Sequence, residues 1–444
     1  MNKDSSKKRG LNKQLWAIHS WVGLYAGVVI ATLSLTGVTA LFIPEIDRLI
    51  NGDKFHVEPS GPLQPVAGVI EQLAEEHGPE NLLVVFPPTE PDDTWLLRFF
   101  QRDGIHVSQP DFFIDPYAAE VIAERDYMRS LAHFLRQIHV RLFESQFGRQ
   151  IVGIAGIALL LSTLTGFLIY GRFMKKQLFG AIRAGKPRVV LADWHKLIGV
   201  ATLAFNLMIA ITGAWLGLQV YLQPVLVGDR PGAYRATEKP LEAEADAAFV
   251  VNYDEVLTTS RALFPELVPK VITPSRDGAR TLRVAGDIPG QAYERNSFIL
   301  TLDKEDLSEV HRYDIRQAGA GAKLFYLQES MHFGDYGGLL LKFVYAFFGL
   351  TSGFLSLAGF VVYLERTAKK RREKPRFREL KPTLLRWTYG ILGTLVLLAG
   401  MQMALGPVIP YLLVTVTFYG WLLFLLLRQL GRFVRSRVSA LRAS

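Results

Sequence analysis

Cysteine is missing from all 444 residues. Its absence excludes disulfides, thiolate metal sites, iron–sulfur clusters and the attachment of a c-type haem, which needs two cysteines. A metal or redox centre in this chain must use other ligands, and nine histidines are present. Charge is missing from a second place, since residues 387–427 carry none. Acids are scarce in a third: 1–14, 171–196, 365–386 and 428–444 together hold 27 of the 50 basic residues and only 5 acidic ones. No G-x-G-x-x-G follows a strand-like run, so no flavin or nicotinamide domain is expected.

What the chain has in quantity is apolar sequence in long blocks. A helix of about 20 such residues crosses a hydrocarbon core of about 30 Å. Six blocks qualify: Trp21–Phe42, Ile151–Tyr170, Leu197–Tyr221, Leu339–Leu364, Leu385–Leu405 and Val408–Leu427. The first is too long for a removable signal peptide and lacks its small-residue cleavage site, so it is expected to stay as a helix. Lys and Arg beside membrane helices are retained on the cytoplasmic side, which places the four basic stretches inside. Residues 45–150 have 9 basic against 18 acidic residues and 222–338 have 13 against 18, so both large loops are expected outside. The net charge of +9 traces to the inner anchors. No nucleic-acid partner is implied, because that needs a basic patch on a folded domain.

These blocks repeat. His19 is followed four residues later by Gly23 and then by Thr36-Gly37; His195 is followed at the same offsets by Gly199 and Thr212-Gly213. His139 and His332 each precede, by 27 residues, the glycine of Gly-Phe-Leu-Ile-Tyr or Gly-Phe-Val-Val-Tyr, and Gly156 and Gly349 match between them. The expected fold is therefore an α-helical integral membrane protein: a four-helix core of two parallel helix–module–helix repeats, two outer α+β modules and an extra C-terminal hairpin. In order, the expectation is a cytoplasmic N-terminus 1–14, a span 15–44, module 45–130, a lead-in helix with a second span 131–172, and a cytoplasmic loop 173–194. Then follow a span 195–221, module 222–331, a span 332–364, a cytoplasmic loop 365–384, spans 385–406 and 408–428, and a cytoplasmic tail 429–444. Each module reads as a helix (Leu63–His77; Tyr253–Phe264) followed by four strands: Leu82–Phe86, Trp95–Gln101, Phe112–Asp115 and Val121–Glu124, then Lys270–Thr273, Thr281–Ala285, Ser297–Leu302 and Glu309–Tyr313.

Topology gives the histidines depth. His19 and His195 start the outward-going spans near the inner face, and His139 and His332 precede the inward-going ones near the outer face, so pseudo-symmetry makes each pair face itself. Two imidazoles facing across a bundle suit a b-type haem, and filling both axial positions leaves it an electron carrier with no place for substrate. The candidate ligands are His19 with His195 and His139 with His332, holding two bis-His haems b; no catalytic residue is assigned. Gly23, Gly27 and Gly199 would let a flat porphyrin approach, a use of glycine that equally serves helix packing. Arg136, Arg141, Lys196 and Lys342 lie near these helix ends as candidates for the propionates. His133 competes with His139 but has Tyr326 at the matching second-half position, and His56, His77, His106 and His311 read as surface residues of the modules. A zinc or iron site without porphyrin would want three or four clustered ligands, whereas these come in twos.

The stretches HSWVGLYAG…LTG, IHVRLFESQFGRQIVG…LTGFLIY, DWHKLIGV…ITG, MHFGDYGG…AGFVVY and the outer FFIDPYAAEV together resemble the PepSY-associated transmembrane helix family, also called PiuB-like iron-regulated membrane proteins, over about residues 13–366. The resemblance implies a bacterial inner-membrane protein with both termini cytoplasmic and two periplasmic PepSY-like modules, some members being di-haem ferrisiderophore reductases. Carried over, it assigns the same four histidines as ligands. Ala358 stands where the family has threonine before Gly359, and the last two spans lie beyond the family's four-helix core.

Three functions are then open. The first is transfer of electrons from the cytoplasmic side or the quinol pool to a periplasmic oxidant such as a ferric siderophore or ferric iron, whose reduction weakens its hold in oxygen-ligand cages. The second is a non-enzymatic membrane module binding a peptide or protein through its PepSY-like parts. The third, a transporter or its subunit, calls for broken helices and charged midplane residues, which the sequence does not suggest.

Overall fold

The computed structural model describes residues 3–104, 106–143, 145–174, 181–226, 251–274, 280–293, 295–370, 380–417, 419–420 and 424. Among these, five helical stretches are long and apolar enough to cross a membrane: Gly10–Ala40, Ser145–Gly171, Leu203–Gln223, Asp335–Arg366 and Leu385–Leu405. The expected sixth span is helical over Val408–Thr417, and most of its remainder lies outside the described residues, as does the expected tail 429–444.

Helix α1 (Lys3–Ala40) supplies the first span. Pro44 sits in the first turn of α2 (Ile43–Ile50), a position where its missing N–H and fixed φ suit a helix. A short α3 (Gly52–Phe55) and α4 (Ala67–His77) follow. Strands β1 (Leu82–Phe86), β2 (Trp95–Phe99), β5 (Pro110–Asp115) and β6 (Glu120–Asp126) form an antiparallel meander, interrupted by a small hairpin of β3 (Gln101–Asp103) and β4 (His106–Ser108). After α5 (Leu131–Arg141), α6 (Ser145–Met174), α7 (Pro187–Ala201) and α8 (Leu203–Leu226), the plan recurs as α9 (Tyr253–Leu263) and the strands β7 (Val268–Pro274), β8 (Thr281–Asp287), β9 (Phe298–Asp303) and β10 (Glu309–Tyr313). Then come α10 (Ala320–Phe333), α11 (Gly338–Lys370) and α12 (Leu380–Leu405).

The two meanders are not separate bodies. Their first strands pair antiparallel, Val85 opposite Ile272, giving one eight-stranded sheet in the order β10-β9-β8-β7-β1-β2-β5-β6. Strand alternation sends Leu97 and Phe99 of β2, with Val284 of β8 and Leu300 of β9, to one face, where Ile70 of α4 and Val256 of α9 complete a single core. Asp254, at the start of α9, accepts the Val66 and Ala67 N–H groups at 2.8 and 3.0 Å and so caps α4 from the other meander. On the opposite face Arg125 bridges Asp111 of β5 (3.0 Å) to Asp47 of α2 (2.7 Å), fastening the sheet to the helices beneath it.

Helices α1, α6, α8 and α11 form the four-helix core. Small residues set its crossings. A Cβ on Gly156 of α6 would come 2.6 Å from the Ala214 nitrogen of α8, and one on Gly349 of α11 would come 2.8 Å from Val38 of α1. Two expected continuities are broken. The lead-in helix does not run into the second span: Leu142, Phe143 and Ser145 adopt positive φ of 47°, 61° and 50°, which ends α5 and turns the chain into α6. The span expected over 195–221 is interrupted at Thr202, whose hydroxyl donates to Ile198 O at 2.8 Å, a back-bond that bends helices. Asn206 donates to Thr202 Oγ1 at 2.7 Å and accepts from Ser352 at 2.6 Å, so the bend is locked by a buried polar triad.

Candidate functional site

The four sequence-selected histidines meet in two pairs. The His19 and His195 ring centres lie 6.2 Å apart with planes at 79°; those of His139 and His332 lie 6.5 Å apart at 31°. His139 ends α5 and His332 ends α10, so that pair sits at the sheet end of the bundle; His19 and His195 occupy the far end. The separation along α1, from His19 to Thr36 beside His139, is about 25 Å at about 1.5 Å per residue.

Each imidazole is seated by a helix other than its own. His139 lies against Thr36-Gly37 of α1, His19 against Thr165-Gly166 of α6, His332 against Thr212-Gly213 of α8, and His195 against Ala358-Gly359 of α11. The glycine makes the room: a Cβ at Gly37 would stand 2.8 Å from His139 Cε1, at Gly166 3.1 Å from His19 Cε1, at Gly213 3.3 Å from His332 Cε1 and at Gly359 3.2 Å from His195 Cε1. The threonine fixes the proton. Thr36 Oγ1 donates its hydrogen to Thr32 O at 2.9 Å, so at 3.2 Å it accepts from His139 Nδ1. Thr212 donates to Met208 O at 2.8 Å and accepts from His332 Nδ1 at 2.9 Å. Thr165 donates to Leu161 O at 2.5 Å, while His19 Nδ1 reaches Ser162 O at 3.0 Å and Thr165 Oγ1 at 3.3 Å. Three imidazoles therefore carry hydrogen on Nδ1 and a lone pair on Nε2, the tautomer a metal ligand needs. His195 departs from this. It approaches the Leu355 carbonyl, but its buried Nδ1 makes no hydrogen bond by distance and angle, and Ala358 offers no hydroxyl.

The arrangement fits a metal held from both sides. Two imidazoles at metal–nitrogen distances of about 2 Å put their ring centres about 6 Å apart, whatever the angle between their planes. Two nitrogens are too few for a zinc site and are the number that a haem takes axially. Among the described residues no hydrogen bond reaches the Nε2 atoms of these four histidines.

The other sequence candidates go elsewhere. His133 does not join His139: Gln402 of α12 donates to its Nδ1 at 3.0 Å and to Met128 O at 2.9 Å, and the Gln137 amide lies 3.0 Å from its Nε2. Burial pushes His133 down to about 4, so it serves as a neutral polar clasp for α12. Lys342 is ion-paired to Glu45 at 2.8 Å, and Lys196 to Asp193 at 2.8 Å. Asp193 also takes a two-pronged contact from Arg183, whose guanidinium holds its carboxyl well below the usual carboxylate range. Arg136 is exposed. Of the clearance glycines, Gly23 faces open space, whereas Gly27 lies 3.5 Å from Ser356 O and Gly199 3.8 Å from Leu355. His77 is not simply a surface residue, for it packs 4.7 Å from the Phe112 ring. His56 approaches Asp92 and Asp93, but Asp93 is taken by Arg48 at 2.6 Å and Thr89 at 2.9 Å.

In the sequence the Thr-Gly pairs stand out only as markers of a repeat. The signal was available, because the pairs stand at fixed offsets from histidines, but the seat belongs to a neighbouring helix and needs the packing to be seen. Uncharacterized protein PA4219 of Pseudomonas aeruginosa is 26% identical over 295 residues, which cover 61% of this chain and 72% of that protein. The family model described as PepSY-associated TM region matches residues 16–366, and the chain is a multi-pass membrane protein of the PepSY-associated family.

Proposed function

We infer that this protein moves electrons across the bacterial inner membrane, from a cytoplasmic or quinol donor to an oxidised periplasmic acceptor, and that the acceptor is ferric iron bound by a siderophore. The observation that carries the reading is the seating of the imidazoles: the Nδ1 atoms of His139, His332 and His19 lie within hydrogen-bond reach of an oxygen on a neighbouring helix, and the ring centres pair at 6.2 Å (His19 with His195) and 6.5 Å (His139 with His332). His19 with His195, and His139 with His332, would each hold one haem b. Such a group supplies reversible one-electron exchange at an iron with no open coordination position. The protein's part is to orient four imidazoles, each against a glycine of a neighbouring helix. No acid or base is required, since reduction of the substrate takes one electron by Fe(III) to give Fe(II), which oxygen ligands hold less firmly.

The same reading takes the chain as two parallel helix–PepSY–helix repeats with both termini cytoplasmic and the sheet periplasmic. The recurring meander and the four imidazole seats at matching offsets support it. The test is full-length protein in liposomes with reductant enclosed and a ferric siderophore outside, read by a ferrous-specific chelator. Iron reduction is expected with the wild type and is expected to fall to background in His19→Ala and in His332→Ala. A protein without haem whose histidine variants behave as wild type would favour the binding-module alternative.

A further inference from the structure

Immediately outward of His332, the wall between α8 and α10 is polar where packing alone would make it apolar. Gln328 lies one turn before His332 on α10 and is 9% exposed, yet among the described residues neither its Oε1 nor its Nε2 has a hydrogen-bond partner. On α8, which holds the other side of His332 through Thr212 at 2.9 Å, the buried Trp215 Nε1 and Gln219 Oε1 are likewise without partners. Residues 212, 215 and 219 follow helical spacing along one side of α8. Because α8 and α10 run in opposite directions, Trp215 and Gln219 rise outward of Thr212 as Gln328 rises outward of His332, and Trp215 packs against the core cluster that includes Phe325 and Tyr326 of α10.

The first half of the chain shows what the same place looks like without this feature. At matching offsets from His139 and Thr36 stand Leu135, Thr39 and Ile43; Leu135 and Ile43 pack in one hydrophobic cluster with Phe134 and Ile138, and Thr39 turns its hydroxyl back onto Thr36 O at 2.9 Å. Leucine and isoleucine therefore satisfy the packing. Two amides and an indole N–H left unpaired in a buried place are costly unless something bonds them.

We propose that Gln328, Gln219 and Trp215 bind the carboxyl side chains of the porphyrin held by His139 and His332. This rests on the haem reading above. They stand one to two helical turns outward of the ligand histidine, and the set offers donors (Trp215 Nε1, Gln328 Nε2) for a carboxylate and acceptors (Gln328 Oε1, Gln219 Oε1) for its protonated form. Three cations near this end are engaged: Lys342 with Glu45 at 2.8 Å, Arg295 with Asp335 at 2.5 Å and over the Phe333 ring, and Arg149, which donates to Leu216 O at 2.9 Å. The carboxyl edge thus meets neutral partners, on the second half of the chain only.

Haem transfer to apomyoglobin tests this on the full-length protein. The wild type and a Gln219→Ile/Gln328→Leu variant, which installs the first-half residues, are each loaded with haem or with haem dimethyl ester. In the wild type one haem of the two is expected to leave about tenfold faster as the ester, the size of one lost hydrogen bond to a charged group. In the variant, ester and acid are expected to leave that site at equal rates. Should the double variant fold poorly, Trp215→Phe, which removes only the N–H, is expected to narrow the same gap. An ester effect undiminished in these variants overturns the assignment and points to water or a separate ligand among the amides, while leaving the haem reading intact. A wild type that takes up no haem sinks the reading itself.

Discussion

At the sheet end both imidazoles bring Nδ1 to a threonine hydroxyl; at the far end His19 Nδ1 is nearer the Ser162 carbonyl, at 3.0 Å, than the Thr165 hydroxyl, at 3.3 Å, and His195 faces an alanine. The glycine beside each seat is common to all four, and Cβ distances of 2.8 to 3.3 Å show that it sets how closely the ring approaches. The hydroxyl is what differs. At His139 and His332 it fixes tautomer and ring plane together, and the rings lie 31° apart; at the far pair, where Ala358 replaces it, they lie at 79°. Distance and orientation are therefore set by different residues. The sheet-end pair is the more fully preorganised of the two, with the hydroxyl doing for His139 and His332 what only contact with Gly359 does for His195.

The largest effect should come from filling a seat. Gly37→Leu puts a side chain where even a Cβ would stand 2.8 Å from His139 Cε1, and it is expected to expel that ring. Haem analysis of the purified variant should give one haem per chain, with the far pair retained; two haems would show that the seat is not needed. A smaller and two-sided effect follows from the hydroxyls. Thr212→Val keeps the shape and removes the acceptor for His332 Nδ1, and haem at the sheet end should be held about 10-fold to 100-fold less firmly, the usual cost of losing an outer-shell partner. Ala358→Thr should do the reverse at His195, by less, and should draw the far pair's spectrum and retention toward those of the sheet end. If Ala358→Thr changes nothing while Thr212→Val weakens its pair, the contrast between the two ends does not lie in the hydroxyl.

Much of this was legible before the fold was known. Offsets between His19 and Thr36-Gly37, and between His195 and Thr212-Gly213, are local along the chain, so a repeat could be read directly, and topology then paired the histidines. Eight of the strands were legible for the same reason, each being a short run rich in apolar, β-branched or aromatic residues. What could not be read was contact between distant segments. The pairing of β1 with β7 joins residues nearly two hundred apart, and nothing local in Leu82–Phe86 names its second neighbour. The seats escaped notice because Gly37 serves a histidine on α5 and Gly166 one on α1. Gly27 and Gly199, read as clearance for a cofactor, face neighbouring helix atoms. Gln402, in the uncharged stretch, clasps His133 and ties α12 to the core, a contact between residues 269 apart in the chain. The bend at Thr202 was hidden because no proline or glycine marks it; a hydroxyl and its neighbour Asn206 make it.

The central claim is that both histidine pairs are axial ligand sets. Haem content and the optical and electron paramagnetic resonance spectra of purified full-length protein test it most directly. The account predicts two haems b per chain, both low-spin with two imidazole ligands, the sheet-end one lost in His332→Ala and the far one in His19→Ala. Colourless protein, or a haem content unchanged by both substitutions, would contradict it.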